Sequence, residues 1–222
     1  MIRAVVKVGG SLSRGDQLPL LCRQLGETGQ RHPLLVIPGG GPFADTVRGL
    51  DQRFGLEDSA AHWMAIQAMD QYGWLLTDLV PGSKAVNDLA AARALAGAGR
   101  IPVLLPYALL RAADPVPHNW DVTSDSIAAW IASVAGAPLL ILLKDVDGLA
   151  AESTGAGATP CLQKSISQKE LACCEGVDRF LPELLPRLGL EMWVINGERP
   201  KRLAELLSTG TTMGTRWQPP DP

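Results

Sequence analysis

Five short apolar runs punctuate the chain, at Ala4–Val8 (interrupted only by Lys7) and at positions 34–37, 101–105, 139–143 and 192–195. Each is continuous rather than alternating, which marks strands buried on both faces, as in a parallel sheet covered by helices. Helical spacing fills the intervals. Leu18, Leu21, Cys22 and Leu25 share a helical face, and a longer pattern spans 59–79 with Asp58 or Ser59 as its N-cap. Positions 88–98 are rich in alanine and leucine, and Ile127, Trp130, Ile131 and Val134 line one side of a helix over 124–134. Pro200 opens a last helix over 200–207. Strands alternating with helices predict right-handed crossovers and an α/β fold, a three-layer αβα sandwich around a mostly parallel sheet.

Pro115 and Pro117 break the pattern within 111–118, which divides the chain into expected lobes at 1–113 and 114–222 on one continuous sheet. Positions 150–160 are rich in Gly, Ala, Ser and Thr and read as a mobile loop or exposed hairpin. Positions 218–222 read as a frayed tail.

Composition narrows the function. Twenty basic residues against 23 acidic ones give a net charge of −3, so no global positive field exists to hold nucleic acid or an anionic membrane. An anionic substrate therefore needs a local positive site. No apolar run approaches the roughly 18 residues of a membrane span. The first strand begins within a few residues of Met1, leaving no room for a signal peptide, and a cytoplasmic location is expected. Cys22, Cys161, Cys173 and Cys174 form no Cys-x-x-Cys pair, and the three histidines have no zinc-like spacing with them, so reduced thiols and no protein-held metal are expected.

Four segments carry candidate chemistry. Lys7 is followed by Gly9, Gly10 and Ser11; glycines let backbone N–H groups approach a ligand, and an ammonium on the same strand end neutralises phosphate charge. A plain strand-to-helix turn with a solvated lysine gives the same pattern, and the Walker A signature is absent. Gly39, Gly40 and Gly41 follow the second run, where ligands bind in open α/β sheets, though a flexible turn also explains them. In the third segment Thr123 or Ser124 caps a helix whose first turn holds Asp125, a placement the helix dipole favours; the functional alternative is that Asp125 holds Lys7 in position. Lys144, Asp145, Asp147 and Gly148 follow the fourth run, as a simple Asp-Gly turn or as contacts to ribose or magnesium phosphate.

Taken in order, Lys7–Ser11 as Lys-x-Gly-Gly-Ser, the Gly39 to Gly41 loop, Thr123 to Asp125 opening a helix, and Asp145 to Gly148 as Asp-Val-Asp-Gly resemble the amino acid kinase family. The resemblance covers nearly the whole chain and implies the carbamate kinase-like fold. It implies ATP and Mg2+ as cofactors, with the metal held mainly by phosphates, an acceptor lobe followed by an ATP lobe, and assembly as a homodimer or homohexamer. By the same resemblance Lys7 stabilises the transferring phosphoryl group and Gly9, Gly10, Ser11 and Gly40 offer donors. Asp125 organises the positive groups, and Lys144, Asp145, Asp147 and Gly148 lie by the nucleotide.

One departure stands out. Many members carry Gly-Gly-Met-x-x-Lys before the penultimate helix, whose lysine assists transfer. Positions 174–182 here read Cys-Glu-Gly-Val-Asp-Arg-Phe-Leu-Pro. Arg179 is the substitute at hand, but the two cations are not equivalent donors, so the second catalytic cation stays open. The stretches around His62, Tyr72 and Trp120 are most similar to the methanofuran-biosynthesis branch, which phosphorylates an aminomethylfuran-methyl phosphate to its diphosphate. That resemblance implies a phosphate-bearing acceptor near Gly39, Gly40, Gly41, Trp120 and Thr123, and near His62 if that residue is not an ordinary packed or surface histidine. Core packing is the default reading of tryptophans at helical positions, and stacking on the acceptor's ring is the alternative for Trp63, Trp74 and Trp120. Asp178 or Asp70 is then the expected counter-ion of its amine. A different phosphate or carboxylate acceptor, or a non-catalytic nucleotide-binding role, remains the alternative.

Overall fold

The computed structural model describes residues 1–150 and 162–219. Its seven strands are β1 (Ala4–Val8), β2 (Leu34–Pro38), β3 (Ser83–Val86), β4 (Ile101–Leu104), β5 (Leu139–Lys144), β6 (Glu191–Asn196) and β7 (Thr215–Trp217). They form one sheet in the order β3-β4-β2-β1-β5-β6-β7. All pairings are parallel except β6 with β7. The helices are α1 (Leu18–Gly29), α2 (Gly41–Phe54), α3 (Asp58–Leu79), α4 (Leu89–Gly97), α5 (Tyr107–Ala113), α6 (Ser124–Ala135), α7 (Gln168–Cys173), α8 (Leu181–Leu188) and α9 (Lys201–Thr209), with a short 3-10 turn at Gly10–Arg14.

The five apolar runs are the five central strands. Because side chains alternate along a strand, each run feeds two cores. Val5, Leu35, Ile37, Leu140, Leu142 and Val194 pack against α4, α6 and α8 on one face. Val6, Val36, Ile141, Leu143 and Ile195 pack against α1 and α9 on the other. The three-layer expectation is met, and the 150–160 stretch lies, except for Ala150, outside the described residues.

Strand β1 is the switch point. The chain lays β2, β3 and β4 to one side of it, then crosses to lay β5, β6 and β7 on the other. Crevices form at the carboxyl ends of strands where the winding reverses. Val8 pairs with both Pro38 and Leu143, so the residues after β1 and β2 and at the end of β5 lie level.

Asp178 and Asp70 show how the helices around this crevice are held. Thr123 occupies the N-cap position of α6 but makes no side-chain cap. Asp178, remote in sequence, takes that role. It accepts from the Thr123 N–H (2.9 Å) and hydroxyl (3.0 Å), the Ser126 N–H (2.9 Å) and the Leu181 N–H (2.9 Å), and from the Ser126 hydroxyl. One carboxylate thus ties α6 to α8 through otherwise orphaned donors. The expected use of Asp178 as a contact to the acceptor is corrected: its oxygens are filled and it lines neither cavity of the site. Asp178→Ala strands these donors in a buried setting, and we expect a loss on the order of 3 kcal/mol in urea unfolding. Unchanged stability would refute the capping role.

Asp70 is likewise a cap. It accepts the Tyr107 N–H at the start of α5 (3.1 Å), and burial raises its carboxyl to about 6. Its folded value lies above the unfolded one, so its favourable contribution is full below about pH 3.8 and is lost as pH rises through about 6. Asp70→Asn keeps an acceptor for Tyr107 without the buried charge. The variant should gain about 1–2 kcal/mol at pH 7 and nothing below pH 4, as read by chemical unfolding at both values.

Candidate active site

Parity along the strands decides which side chains meet. Lys7 shares a face with Val5, and Lys144 shares one with Leu140 and Leu142; both therefore point to the α6 side of the sheet. Asp125, in the first turn of α6, comes down between them. Its Oδ1 accepts from Lys7 Nζ at 2.8 Å and its Oδ2 from Lys144 Nζ at 2.7 Å. The carboxylate is 3% exposed and the Lys7 ammonium 5%, so water screens this group little. Burial alone would raise the Asp125 carboxyl, but the Lys144 and Lys7 ammonium groups hold it well below the usual carboxylate range. Burial pushes the Lys7 ammonium down, opposed by Asp125.

The glycine turns close around this fork. The Gly9 N–H donates to the Leu143 carbonyl and the Gly39 N–H to the Val8 carbonyl, each at 2.8 Å. A Cβ on Gly10 would sit 2.7 Å from Gly41 Cα, so the two turns meet backbone to backbone, and Gly41 adopts a φ of +57°. Tyr72 of α3 lies buried against Gly41. Only a chain without side chains at these positions brings the two loops this close together.

Two cavities share this floor. A polar cleft enclosing about 830 Å3, open mouth included, is lined by Lys7, Gly9, Gly10, Ser11, Arg14, Gly40, Gly41, Arg48, Asp125, Lys144 and Asp145. An apolar pocket of about 540 Å3, measured likewise, is lined by Ala61, His62, Ala65, Ile66, Met69, Trp120, Val122 and Ile127. Gly40, Ala44, Arg48, Thr123 and Ser124 line both, so the two spaces adjoin. Trp120 is fixed by a bond to Asp51 (2.7 Å), with the Arg48 guanidinium 5.0 Å over its ring. His62 stacks on His118 at 4.2 Å, and burial, then the neighbouring His118, lowers it to about 4, so it stands neutral at pH 7.

The site thus gathers Lys7, Gly9, Gly10, Ser11, Gly40, Gly41, His62, Trp120, Thr123, Asp125, Lys144 and Asp145 around the two spaces. Others lie elsewhere. Gly39 packs behind the wall, against Gly10. Asp147 is tied to Arg202 (2.6 Å) and Asn196 (2.9 Å), and Gly148 packs on Thr215. Arg179 is corrected as a substitute cation: its side chain is 88% exposed, 3.7 Å from Asp121, and lines neither cavity. Trp63 packs edge-on to Tyr107, and Trp74 is 60% exposed on α3. Arg14 and Arg48 went unread in the sequence. Each is paired with Asp45, at 2.6 and 3.1 Å, in exposed pairs that hold little energy and leave the guanidinium groups available to a phosphate. Pro42 in the first turn after Gly41 was the signal for the helix that carries Arg48.

The donor set suits a polyphosphate: cations on several sides and a cradle that any Cβ would fill. A divalent ion fits only with phosphate oxygens as its principal ligands. Among the described residues no group of three or more His, Cys, Asp or Glu is placed to hold a metal. Of the carboxylates lining the cleft, Asp45 and Asp125 are taken up in ion pairs, and Asp145 lies within electrostatic reach of Arg14.

A parallel α/β sheet with this lysine–aspartate–lysine fork at its switch point defines a phosphate-handling protein of the doubly wound class. The chain belongs to the amino acid kinase family, whose sequence profile matches residues 3–173, and it is a kinase. It is similar to the [5-(aminomethyl)furan-3-yl]methyl phosphate kinase of Methanocaldococcus jannaschii, at 30% identity over 91% of this chain and 92% of that one. It is also 28% identical to the acetylglutamate kinase of Bifidobacterium adolescentis, over 84% of this chain and 57% of that protein. In fold it matches the uridylate kinase of Archaeoglobus fulgidus, with a TM-score of 0.74 at 19% identity over 97% of this chain and 100% of that one. The UMP kinase of Bacillus anthracis matches with a TM-score of 0.75 at 13% identity over 97% and 95%. No helix among the described residues is long and apolar enough to cross a membrane.

Proposed function

We propose that the chain transfers the terminal phosphoryl group of ATP to an ionised phosphate monoester, with [5-(aminomethyl)furan-3-yl]methyl phosphate as acceptor and its diphosphate as product. The observation that carries this reading is the Lys7–Asp125–Lys144 fork at the junction of a cationic cleft and an aromatic-walled apolar pocket. The cleft suits the nucleotide's phosphates; the pocket suits a small ring whose phosphate reaches Arg48 and the glycine turns.

ATP, when bound with Mg2+, supplies the phosphoryl group. A phosphate monoester loses its second proton at about pH 6, so the attacking oxygen needs no base. One P–O bond forms to the acceptor oxygen as the bond to ADP breaks, and no proton moves. The protein's task is position and charge. Lys7 and Lys144 face the transferred group from adjacent strands, and Asp125 fixes both ammonium groups in place, one on each carboxylate oxygen. Gly10, Ser11 and Gly40 bring main-chain groups to the phosphates. His62 and Trp120 wall the acceptor without taking protons. Self-association through the outer face of α3, where Trp74 and Leu75 are exposed, belongs to the same reading.

The test is direct. Purified protein, ATP and Mg2+ are incubated with the aminomethylfuran phosphate, with UMP and with N-acetylglutamate, and products are followed by phosphorus NMR and ADP release. Diphosphate formed from the furan acceptor far faster than from the others supports the proposal. ADP release with only another acceptor would assign the machinery to that acceptor.

A further inference from the structure

Resting on the acceptor proposed above, we infer that Asp58, in the first turn of α3, binds the acceptor's ammonium group and selects aminated over amine-free phosphate esters. The apolar pocket has two charged side chains in its lining, Arg48 and Asp58. Arg48 also lines the polar cleft and so stands at the phosphoryl end, whereas Asp58 lines the apolar pocket alone. A cation at the junction and a carboxylate away from it match a zwitterion with phosphate at one end and an amine at the other.

Four other carboxylates already have partners. Asp51 accepts from Trp120 and from the Leu56 N–H (3.0 Å), and Asp114 holds His118 at 2.8 Å. Asp70 and Asp178 cap α5 and α6. Asp58 is exposed and has no hydrogen-bond or ion-pair partner among the described residues. His62 does not compete for the amine's place: it is braced against His118, which is itself fixed between Ser59 (2.8 Å) and Asp114. The imidazole wall stays neutral and does not repel an ammonium. A carboxylate in the first turn of a helix is favoured by the helix dipole whatever its function, so the test must read selectivity rather than stability.

Asp58→Asn keeps size and the helix start but removes the charge. Steady-state rates are measured for the aminomethylfuran phosphate and for the same ester lacking the amine. We expect the preference, the ratio of the two kcat/KM values, to fall about tenfold or more, through KM of the aminated acceptor, and Asp58→Glu to restore part of it. An unchanged ratio, whether both rates hold or fall together, overturns the role of Asp58 and leaves the acceptor standing. A wild-type protein that phosphorylates other acceptors but not the aminated one overturns the acceptor itself, and the role of Asp58 with it.

Discussion

Asp125→Asn is expected to lower kcat on the order of a thousandfold, with binding of ATP and acceptor far less affected. The carboxylate bridges Lys7 and Lys144 at 2.8 and 2.7 Å. An amide presents no charge to offset two ammonium groups in a nearly dry setting, and one of its atoms is a donor that opposes a donor. Misplacing two cations that stabilise developing charge costs about 3–4 kcal/mol in the transition state, by the scale of single preorganised donors. Lys7, which burial already pushes down, then has no counter-ion and gives up its proton more readily. Residual activity of the variant should therefore fall as pH rises, a dependence not expected of the wild type over the same range.

Stability gives a second reading of the same change. The Asp125 carboxyl lies below its ordinary 3.8 in the folded protein. Its contribution is therefore present above about pH 3.8 and lost as pH falls through the folded value. An uncompensated buried pair typically costs about 3–5 kcal/mol. Wild type and variant should differ by roughly that amount at pH 7 in urea unfolding, and the gap should narrow in strong acid. A variant retaining kcat within tenfold would sink the assigned role.

Much of this arrangement is legible in the sequence. The central strands announce themselves because burial on both faces forces unbroken apolar runs. Edge strands do not: β3 reads Ser-Lys-Ala-Val, half exposed, and β7 has three residues. The glycine turns were visible as motifs, but α2 was hidden behind them, since a helix beginning Gly-Pro with few apolar residues gives weak periodicity. With α2 unread, Arg48 could not be placed. Asp178 misled for a different reason. Its task is set by α6, more than 50 positions earlier, and no local pattern shows that a helix lacking its own side-chain cap borrows one from afar. The parity of Lys144 was readable, by counting two residues at a time from Leu140, once β5 was known to lie beside β1.

That parity bears on the second transfer cation. The stretch at 174–182 has no lysine, and Arg179 there points to solvent. Lys144 stands in a place the sequence suggested for the nucleotide, yet its ammonium meets the same carboxylate as Lys7. We assign it the transfer role, reached from the end of β5 instead of the loop before α8. Lys144→Met should lower kcat about a hundredfold to a thousandfold while KM for ATP changes only a few-fold, because the lost charge matters most when the phosphoryl group is between partners. Lys144→Arg should not restore the rate: a planar guanidinium is larger and forks its donors, where Asp125 and the phosphoryl group call for one compact point charge. Arg179→Ala should leave kcat within about twofold, as for an exposed residue bearing a weak surface pair. The opposite pattern, with Arg179→Ala crippling and Lys144→Met raising only KM for ATP, would return the second cation to the loop before α8. It would make Lys144 a nucleotide contact, with Asp125 serving Lys7 alone.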